Sequence, residues 1–162
     1  MYLRQLSIDD GIEIFNMLQR IGRNENEFNN TAHGLSYADF RVWLVQQNDW
    51  SHGNNLPKKY VPQTIFWLYK DVVPVGIGKI RHYLNDNSRA MGGNIGYAID
   101  PIYRGLGYGT ELLKELLKKA IEMNIPELLL SVEKNNPSSK RVIEKNGGVL
   151  VRENEQRWFF EF

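Results

Sequence analysis

Apolar residues recur along this 162-residue chain with two different periods, which mark out helices and strands. Steps of three and four residues, typical of amphipathic helices, predict four helices. These open at Ser7, Ser36, Gly109 and Asn136. Ser7 and Ser36 are each followed three residues later by an aspartate, as in a capping box. The apolar stripe expected on the first helix consists of Ile8, Ile12, Phe15, Leu18 and Ile21.

Short aromatic and β-branched runs between the helices predict strands. The runs cover residues 2–6, 64–69, 75–81, 94–99, 127–132, 149–152 and 157–162. Gly76 and Gly78 inside one run indicate a bulge or a close backbone neighbour. Segments 22–34, 49–63 and 85–93 are polar and predict loops. The order predicts an α/β protein of the three-layer α+β type, in which helices flank a mixed, mostly antiparallel sheet. No linker divides the chain, so we expect one domain over residues 1–162.

Composition narrows the classes of function. The chain has 20 Lys and Arg against 19 Asp and Glu, and this balance opposes a nucleic-acid partner. Because there is no cysteine, a disulfide scaffold, a thiolate zinc site and a cysteine nucleophile are excluded. The same absence fits a reducing cytoplasm. No signal peptide and no run of about 18 apolar residues is present, so we expect no membrane partner. The three histidines show no metal-ligand spacing, and we expect no metal.

The segment from Ile99 to Thr110 carries the clearest chemical signal, because it leaves a strand and enters a helix. Its glycines, at alternate positions, let backbone amides approach a ligand closely. A helix N-terminus adds unpaired N–H groups and partial positive charge, so the turn predicts a phosphate or pyrophosphate site. Arg104 is expected to add a charge at its rim, and Thr110 a hydroxyl. The P-loop and the dinucleotide fingerprint both require glycine spacings that this chain lacks.

The run Arg104-Gly-Leu-Gly-Tyr-Gly109 resembles the Arg/Gln-x-x-Gly-x-Gly/Ala signature of the GNAT superfamily, the acetyl-CoA-dependent N-acetyltransferases. Residues 95–105 look like the family's fourth strand and its approach to the loop, and residues 136–148 look like its second conserved block. The close resemblance thus covers residues 94–148, about a third of the chain. The run 92–97 is most similar to a subgroup of uncharacterised predicted acetyltransferases.

The resemblance implies acetyl-CoA as cosubstrate and a position for it. The amides of residues 106–110 would cradle the pyrophosphate, and the backbone of residues 97–99 would pair with the pantetheine like an added strand. That pairing requires the strands at 94–99 and 128–132 to splay apart. Asn136 and Ser139 would lie near the far end of the pantetheine. The expected cofactor-binding residues are Tyr97, Ala98, Ile99, Arg104, Gly105, Leu106, Gly107, Tyr108, Gly109, Thr110, Asn136 and Ser139.

Acetyl transfer by direct attack requires a deprotonated amine, a polarised thioester and a stabilised thiolate. Glu133, at the edge of the expected cleft, is the candidate base, although an ordinary solvated glutamate would look the same. A backbone N–H near Ile99 is the candidate polarising donor. Many family members place a tyrosine as general acid where this chain has Ile143. The alternatives are solvent or one of three tyrosines: Tyr97, Tyr103 and Tyr108. Asn94 either orients a water or simply starts a strand.

The resulting hypothesis is an N-acetyltransferase that acts on a primary amine of a small molecule or peptide. Because isoleucine at position 143 cannot act as the general acid, the alternative hypothesis is a non-catalytic acyl-CoA-binding regulatory module. A related fold that transfers aminoacyl groups from tRNA is opposed by the near-neutral charge. Loops 22–35 and 49–63 are expected to cover the acceptor side. The resemblance also leaves room for a homodimer.

Overall fold

The computed structural model describes residues 1–162, which form two main antiparallel sheets, a separate two-stranded hairpin and flanking helices. The strands are β1 (Tyr2–Gln5), β2 (Asn24–Glu25), β3 (Phe28–Asn29), β4 (Gln63–Lys70), β5 (Val73–Arg81), β6 (Ile95–Ile99), β7 (Leu129–Glu133), β8 (Val149–Glu153) and β9 (Arg157–Glu161). The helices are α1 (Ile12–Arg20), α2 (Tyr37–Ser51), α3 (Asp86–Ala90), α4 (Tyr108–Glu122) and α5 (Pro137–Lys145). No helix combines the length and the apolar character needed to cross a bilayer.

The larger sheet has the order β1-β4-β5-β6 and the smaller one the order β7-β9-β8, and every ladder in them is antiparallel. The two sheets meet at one bridge, between Gly93 and Leu130. A Cβ at Gly93 would lie 1.8 Å from the Leu129 carbonyl oxygen, so only glycine fits this junction. Beyond the bridge, β6 and β7 share no ladder. The splay that the resemblance required is therefore present.

Helices cover both faces of the larger sheet, and each face has its own core. Side chains alternate along a strand, so Ile65 and Trp67 of β4 pack in a cluster with α1 and α2, whereas Phe66 and Leu68 pack in a cluster with α4 and α5. Trp67 and Leu68 are both fully buried. Helix, sheet and helix make the three layers, and the fold class predicted from the sequence is confirmed.

The first helix differs from its prediction, because Ser7 and Asp10 form a turn before it. Asp10 accepts hydrogen bonds from the Ser7 amide at 2.9 Å, from the Trp67 indole at 2.6 Å and from Arg4 at 2.5 Å. A buried aspartate with these partners anchors the turn to the sheet, and the helix begins only at Ile12. Ile8 and Ile12 are consequently exposed, which the predicted stripe had placed inside. The buried residues of this helical segment are Ile14, Met17, Leu18 and Ile21.

Three further segments depart from the loop predictions. Segment 22–34 contains the hairpin of β2 and β3, segment 85–93 contains α3, and α2 runs on to Ser51. The predicted cap of α2 is confirmed, since the Ser36 hydroxyl accepts from the Asp39 amide at 3.0 Å. Gly76 and Gly78 lie beside both a bulge and a close neighbour, the two alternatives that the sequence predicted. Val75 has no partner in the β4 register, and α4 packs closely on both glycines.

We expect Gly78→Ala to destabilise the protein by about 1–3 kcal/mol, since a Cβ there would lie 2.5 Å from Leu116 in a closed core. Gly96→Ala is the matched control on the neighbouring strand, because its Cβ would lie 3.8 Å from the Phe28 ring, an ordinary contact. Urea denaturation of both variants measures the difference. Equal stabilities would contradict the close packing of α4 on β5.

Candidate functional site

The N-terminus of α4 presents a row of unpaired backbone N–H groups. Gly105 and Gly107 have φ angles of 76° and 80°, in the left-handed region that favours glycine. A Cβ at either position would meet nothing within 4 Å, so the backbone conformation, and not lack of space, requires these glycines. None of the amides from Gly105 to Gly109 donates a hydrogen bond within the protein. The turn thus offers consecutive donors at the positive end of a helix dipole, which is what a pyrophosphate needs.

Two details of the predicted turn need correction. The Thr110 amide donates to the Gly107 carbonyl at 3.1 Å, so this N–H is not free for a ligand. Arg104 was expected to offer a charge at the rim, but its guanidinium is already engaged. Its Nε donates to the Ile99 carbonyl at 3.1 Å, and its Nη1 forms an ion pair with Glu25. The contact with Arg104 lowers the pKa of Glu25. Arg104 therefore fixes the turn to the end of β6.

Strand β6 leaves one edge open beside the turn. The Arg81 amide bonds to the Asn94 carbonyl at 2.8 Å and the Asp100 amide to the Val75 carbonyl at 3.0 Å, which sets the alternation of the β5–β6 ladder. Even-numbered residues of β6 therefore bond to β5, and odd-numbered residues direct their N–H and C=O groups to the open side. Tyr97 and Ile99 can pair with an added strand. Ala98, which was expected to join them, faces β5 instead.

A cavity of about 470 Å³ lies where β6 and β7 separate. Its walls come from β5, β6, β7, the β2–β3 hairpin, α2 and the segment around residues 56–63. The expected loops 22–35 and 49–63 thus both contribute to it. Of the predicted site residues, Tyr97, Glu133 and Ser139 line the cavity. Residues 104–110 and Asn136 do not, and the cavity and the α4 turn are connected by the open edge of β6.

Tyr97 and Ser139 meet across the gap, with 2.8 Å between their hydroxyl oxygens. Asn136 caps α5 by accepting from the Ser139 amide at 3.2 Å, so its side chain positions Ser139. Burial raises the pKa of Tyr97 to about 12, which keeps this phenol protonated at neutral pH. The other candidate tyrosines, Tyr103 and Tyr108, stack on each other outside the cavity, with 6.5 Å between ring centroids. Tyr97 is therefore the only one of the three that faces the gap.

Glu133 shares a cation with a second carboxylate that the sequence did not single out. Arg157 lies 3.5 Å from the Glu133 carboxylate and 2.6 Å from that of Glu27. Glu27 also accepts from the Glu133 amide at 2.9 Å. Asn26 and Glu27 form the hairpin tip between β2 and β3, with φ angles of 49° and 68°. These contacts fasten the hairpin to the end of β7 and close one wall of the cavity.

Lys79 and Arg81 form the second charged group in the cavity. They lie two residues apart on β5 and therefore face the same side of the sheet. The Lys79 amine donates to the Asn29 carbonyl at 2.7 Å and lies 4.5 Å from the centre of the Phe28 ring. Burial, followed by repulsion from Arg81, lowers the pKa of Lys79 to about 7. Two cations two residues apart in the apolar run 75–81 were the sequence signal that could have identified this pair.

Asn94 and Ile143 have structural roles at the borders of the cavity. Asn94 is fully buried, and its Oδ1 accepts from the Leu129 amide at 2.9 Å, so it does not orient a water. Ile143 lines the cavity and is buried in the core, as its apolar side chain demands. No group of three or more His, Asp or Glu side chains is arranged to hold a metal ion.

Solved structures with the same fold are acetyltransferases. Campylobacter jejuni N-acetyltransferase PseH, in complex with acetyl coenzyme A, matches with a TM-score of 0.64 and 15% identity over 99% of this chain and 96% of that chain. Ribosomal-protein-S5-alanine acetyltransferase from Vibrio fischeri matches with a TM-score of 0.68 and 16% identity over 99% and 91% of the two chains. The structure of yncA from Salmonella typhimurium with its cofactor acetyl-CoA matches with a TM-score of 0.62 and 13% identity over 99% of this chain and 91% of that chain. At these identities the likeness shows the fold.

The family itself is shown by sequence. The family model of the acetyltransferase (GNAT) domain matches residues 1–149. This chain therefore belongs to the GNAT acetyltransferase family, as the signature at Arg104–Gly109 indicated. No curated protein matches the chain closely enough to narrow the family further.

The burial of Lys79 predicts how stability depends on pH. An unfolded lysine titrates near its ordinary pKa of about 10.4, so the unfolded chain binds more protons than the folded one from pH 7 to 10. The stability contribution of Lys79 is therefore least favourable at or below pH 7 and improves as pH rises. Relative to Lys79→Met, we expect the wild type to gain up to about 1.4 kcal/mol of unfolding free energy per pH unit. Urea titrations at pH 7, 8 and 9 measure this gain.

Lys114→Met provides the control for that series, since Lys114 is an exposed cation on α4 paired with Glu111 at 3.3 Å. Its profile should run nearly parallel to that of the wild type. If the Lys79→Met profile is parallel as well, the Lys79 amine is not desolvated in the cavity.

Proposed function

We propose that this protein transfers the acetyl group of acetyl-CoA to a primary amine by direct attack. The observation that carries the proposal is the row of unpaired amides from Gly105 to Gly109, adjacent to the open edge of β6. The amides fit a pyrophosphate, and the edge fits an extended chain with amide groups of its own. Membership of the GNAT family and the acetyl-CoA complexes of structural neighbours support this assignment.

The reacting thioester would lie in the gap between β6 and β7. Tyr97 lines the cavity and Ile99 does not, so the Tyr97 N–H is the edge donor best placed to polarise the thioester carbonyl. This assignment replaces the donor near Ile99 that the sequence predicted. The Ile99 N–H then pairs with the pantetheine.

The reaction forms a C–N bond at the thioester carbon and breaks the C–S bond. The lone pair of the deprotonated amine attacks the carbonyl carbon, and the CoA thiolate leaves. We assign Glu133 as the base that takes the amine proton, directly or through water, because its carboxylate lines the cavity at the end of β7. The protonated Tyr97 hydroxyl, held by Ser139, is placed to donate a hydrogen bond to the thiolate.

Gly107→Ala tests the pyrophosphate site. Alanine at a φ of 80° disfavours the turn that aims the amides, and losing one or two amide–phosphate hydrogen bonds weakens CoA binding about 10- to 100-fold. Gly34→Ala is the matched control, because Gly34 has a φ of 84° and open space around it but lies outside the site. Isothermal calorimetry with CoA measures both variants. Unchanged CoA affinity in Gly107→Ala would show that the amides of this turn do not bind the pyrophosphate.

Glu133→Gln tests the base. We expect kcat to fall about 10²- to 10⁴-fold in a thiol-release assay over a panel of amines, with CoA affinity unchanged. Glu27→Gln is the control, since it neutralises the other carboxylate bound to Arg157. A larger loss in Glu27→Gln would move the assignment to Glu27. Tight CoA binding without turnover on any amine would favour the non-catalytic binding module instead.

A further inference from the structure

Lys79 and Arg81 are basic side chains of the cavity that have no carboxylate partner. At neutral pH Arg81 carries a full charge, and Lys79, with its pKa lowered to about 7, carries a partial charge that a bound anion would complete. Lys79 donates to the Asn29 carbonyl at 2.7 Å, and Arg81 donates to the Gly93 carbonyl at 2.7 Å, but neither forms an ion pair. Arg157 shows the contrast on the other side of the gap, where two carboxylates neutralise it. The positive charge in the β5 wall is therefore left uncompensated by the protein.

An uncompensated cation pair in a cavity wall is costly. Burial penalises each charge, and the two like charges on one strand repel each other. Carbonyl oxygens offset part of this cost, but they carry no net charge. An anion placed between Lys79 and Arg81 would supply the missing charge, and the guanidinium can bind carboxylate or phosphate oxygens through paired donors.

Resting on the proposed acetyl transfer, we propose that the acceptor amine also carries an anionic group, a carboxylate or a phosphate, which Lys79 and Arg81 bind. The cation pair lies on β5, which pairs with one edge of β6, and Glu133 lies on β7, across the gap from the other edge, so the two groups line the cavity from different walls. A bound acceptor then directs its amine toward the base at Glu133 and its anion toward β5.

The surroundings of the cation pair support a small polar molecule. Phe28 and Trp50 supply aromatic surface to the cavity, and Gln47 supplies a buried amide. Glu27, the remaining carboxylate of the hairpin, is bound by Arg157 and by the Glu133 amide, so it does not neutralise Lys79. The cavity would therefore select acceptors by charge, because its β5 wall attracts an anion and its β7 wall accepts a cationic or neutral amine.

Lys79 also fastens the hairpin through Asn29, and a test must separate this role from anion binding. The informative quantity is a ratio of kcat/KM values for matched acceptors, because loss of the hairpin would affect both members equally. Suitable pairs are amino acids with their amides, and phosphoethanolamine with ethanolamine. The first pair tests a carboxylate and the second a phosphate.

We expect the wild type to favour the anionic member of at least one pair by about 10-fold or more, the scale of one charge-assisted contact. Lys79→Met and Arg81→Gln should each remove most of that preference by raising KM for the anionic member. Gln keeps a donor for the Gly93 carbonyl. Lys114→Met, remote on α4, should leave the ratio unchanged. A preference that both cavity variants retain, or no preference in the wild type, would overturn the proposal.

A binding measurement keeps this test independent of turnover. N-acetylglycine and its amide, together with phosphoethanolamine and ethanolamine, are titrated calorimetrically into protein saturated with CoA. Tighter binding of an anionic compound than of its neutral partner, lost in Lys79→Met, supports the anion site. If this result is obtained but no amine is acetylated, only the proposed acetyl transfer is refuted. Equal binding of both members in every pair overturns the anion site whatever the activity.

Discussion

The site depends on the place where the two sheets stop pairing. Asn94 binds Leu129 twice, through its backbone N–H at 2.7 Å and its side-chain oxygen at 2.9 Å. The glycine before it allows the two chains to approach more closely than any side chain would permit. These hydrogen bonds pair the N–H and C=O groups of Leu129 with Asn94 at the point where the ladder ends. The strands β6 and β7 can therefore diverge there without leaving these buried backbone groups unpaired. The open edge, the cavity and the access to Tyr97 all follow from this divergence.

Many helices and strands can be predicted from the sequence because their capping residues and their hydrophobic periodicity match the burial that the fold imposes. The Ser36 cap, the Asn136-Pro137 helix start and the alternation in β4 each predict their element correctly. The first helix begins later than its spacing predicts because Asp10 bonds to the indole of Trp67 on β4, so the pattern that resembles a capping box anchors a turn to the sheet instead. Such long-range bonds leave no trace in local spacing.

The same distinction applies to the site. The turn at 105–109 is a local feature, and its glycines predict its geometry from sequence alone. The role of Arg104 depends on Ile99 and on Glu25, which lies far away in the chain, and sequence spacing gave no sign of the latter. Lys79, Arg81, Glu27 and Arg157 line one cavity although three separate parts of the chain supply them. Only the topology of the sheets brings these charges together.

The Glu27–Arg157 pair also has a consequence for how the molecule assembles. One partner belongs to a hairpin near the start of the chain, and the other to β9, the last strand. Contacts between such distant positions form late, because the intervening chain must first be ordered. The α4 turn is local and can take shape early. The wall that Glu27 and Arg157 close is therefore complete only when the last strand has paired, whereas the geometry of the α4 turn is set by neighbouring residues.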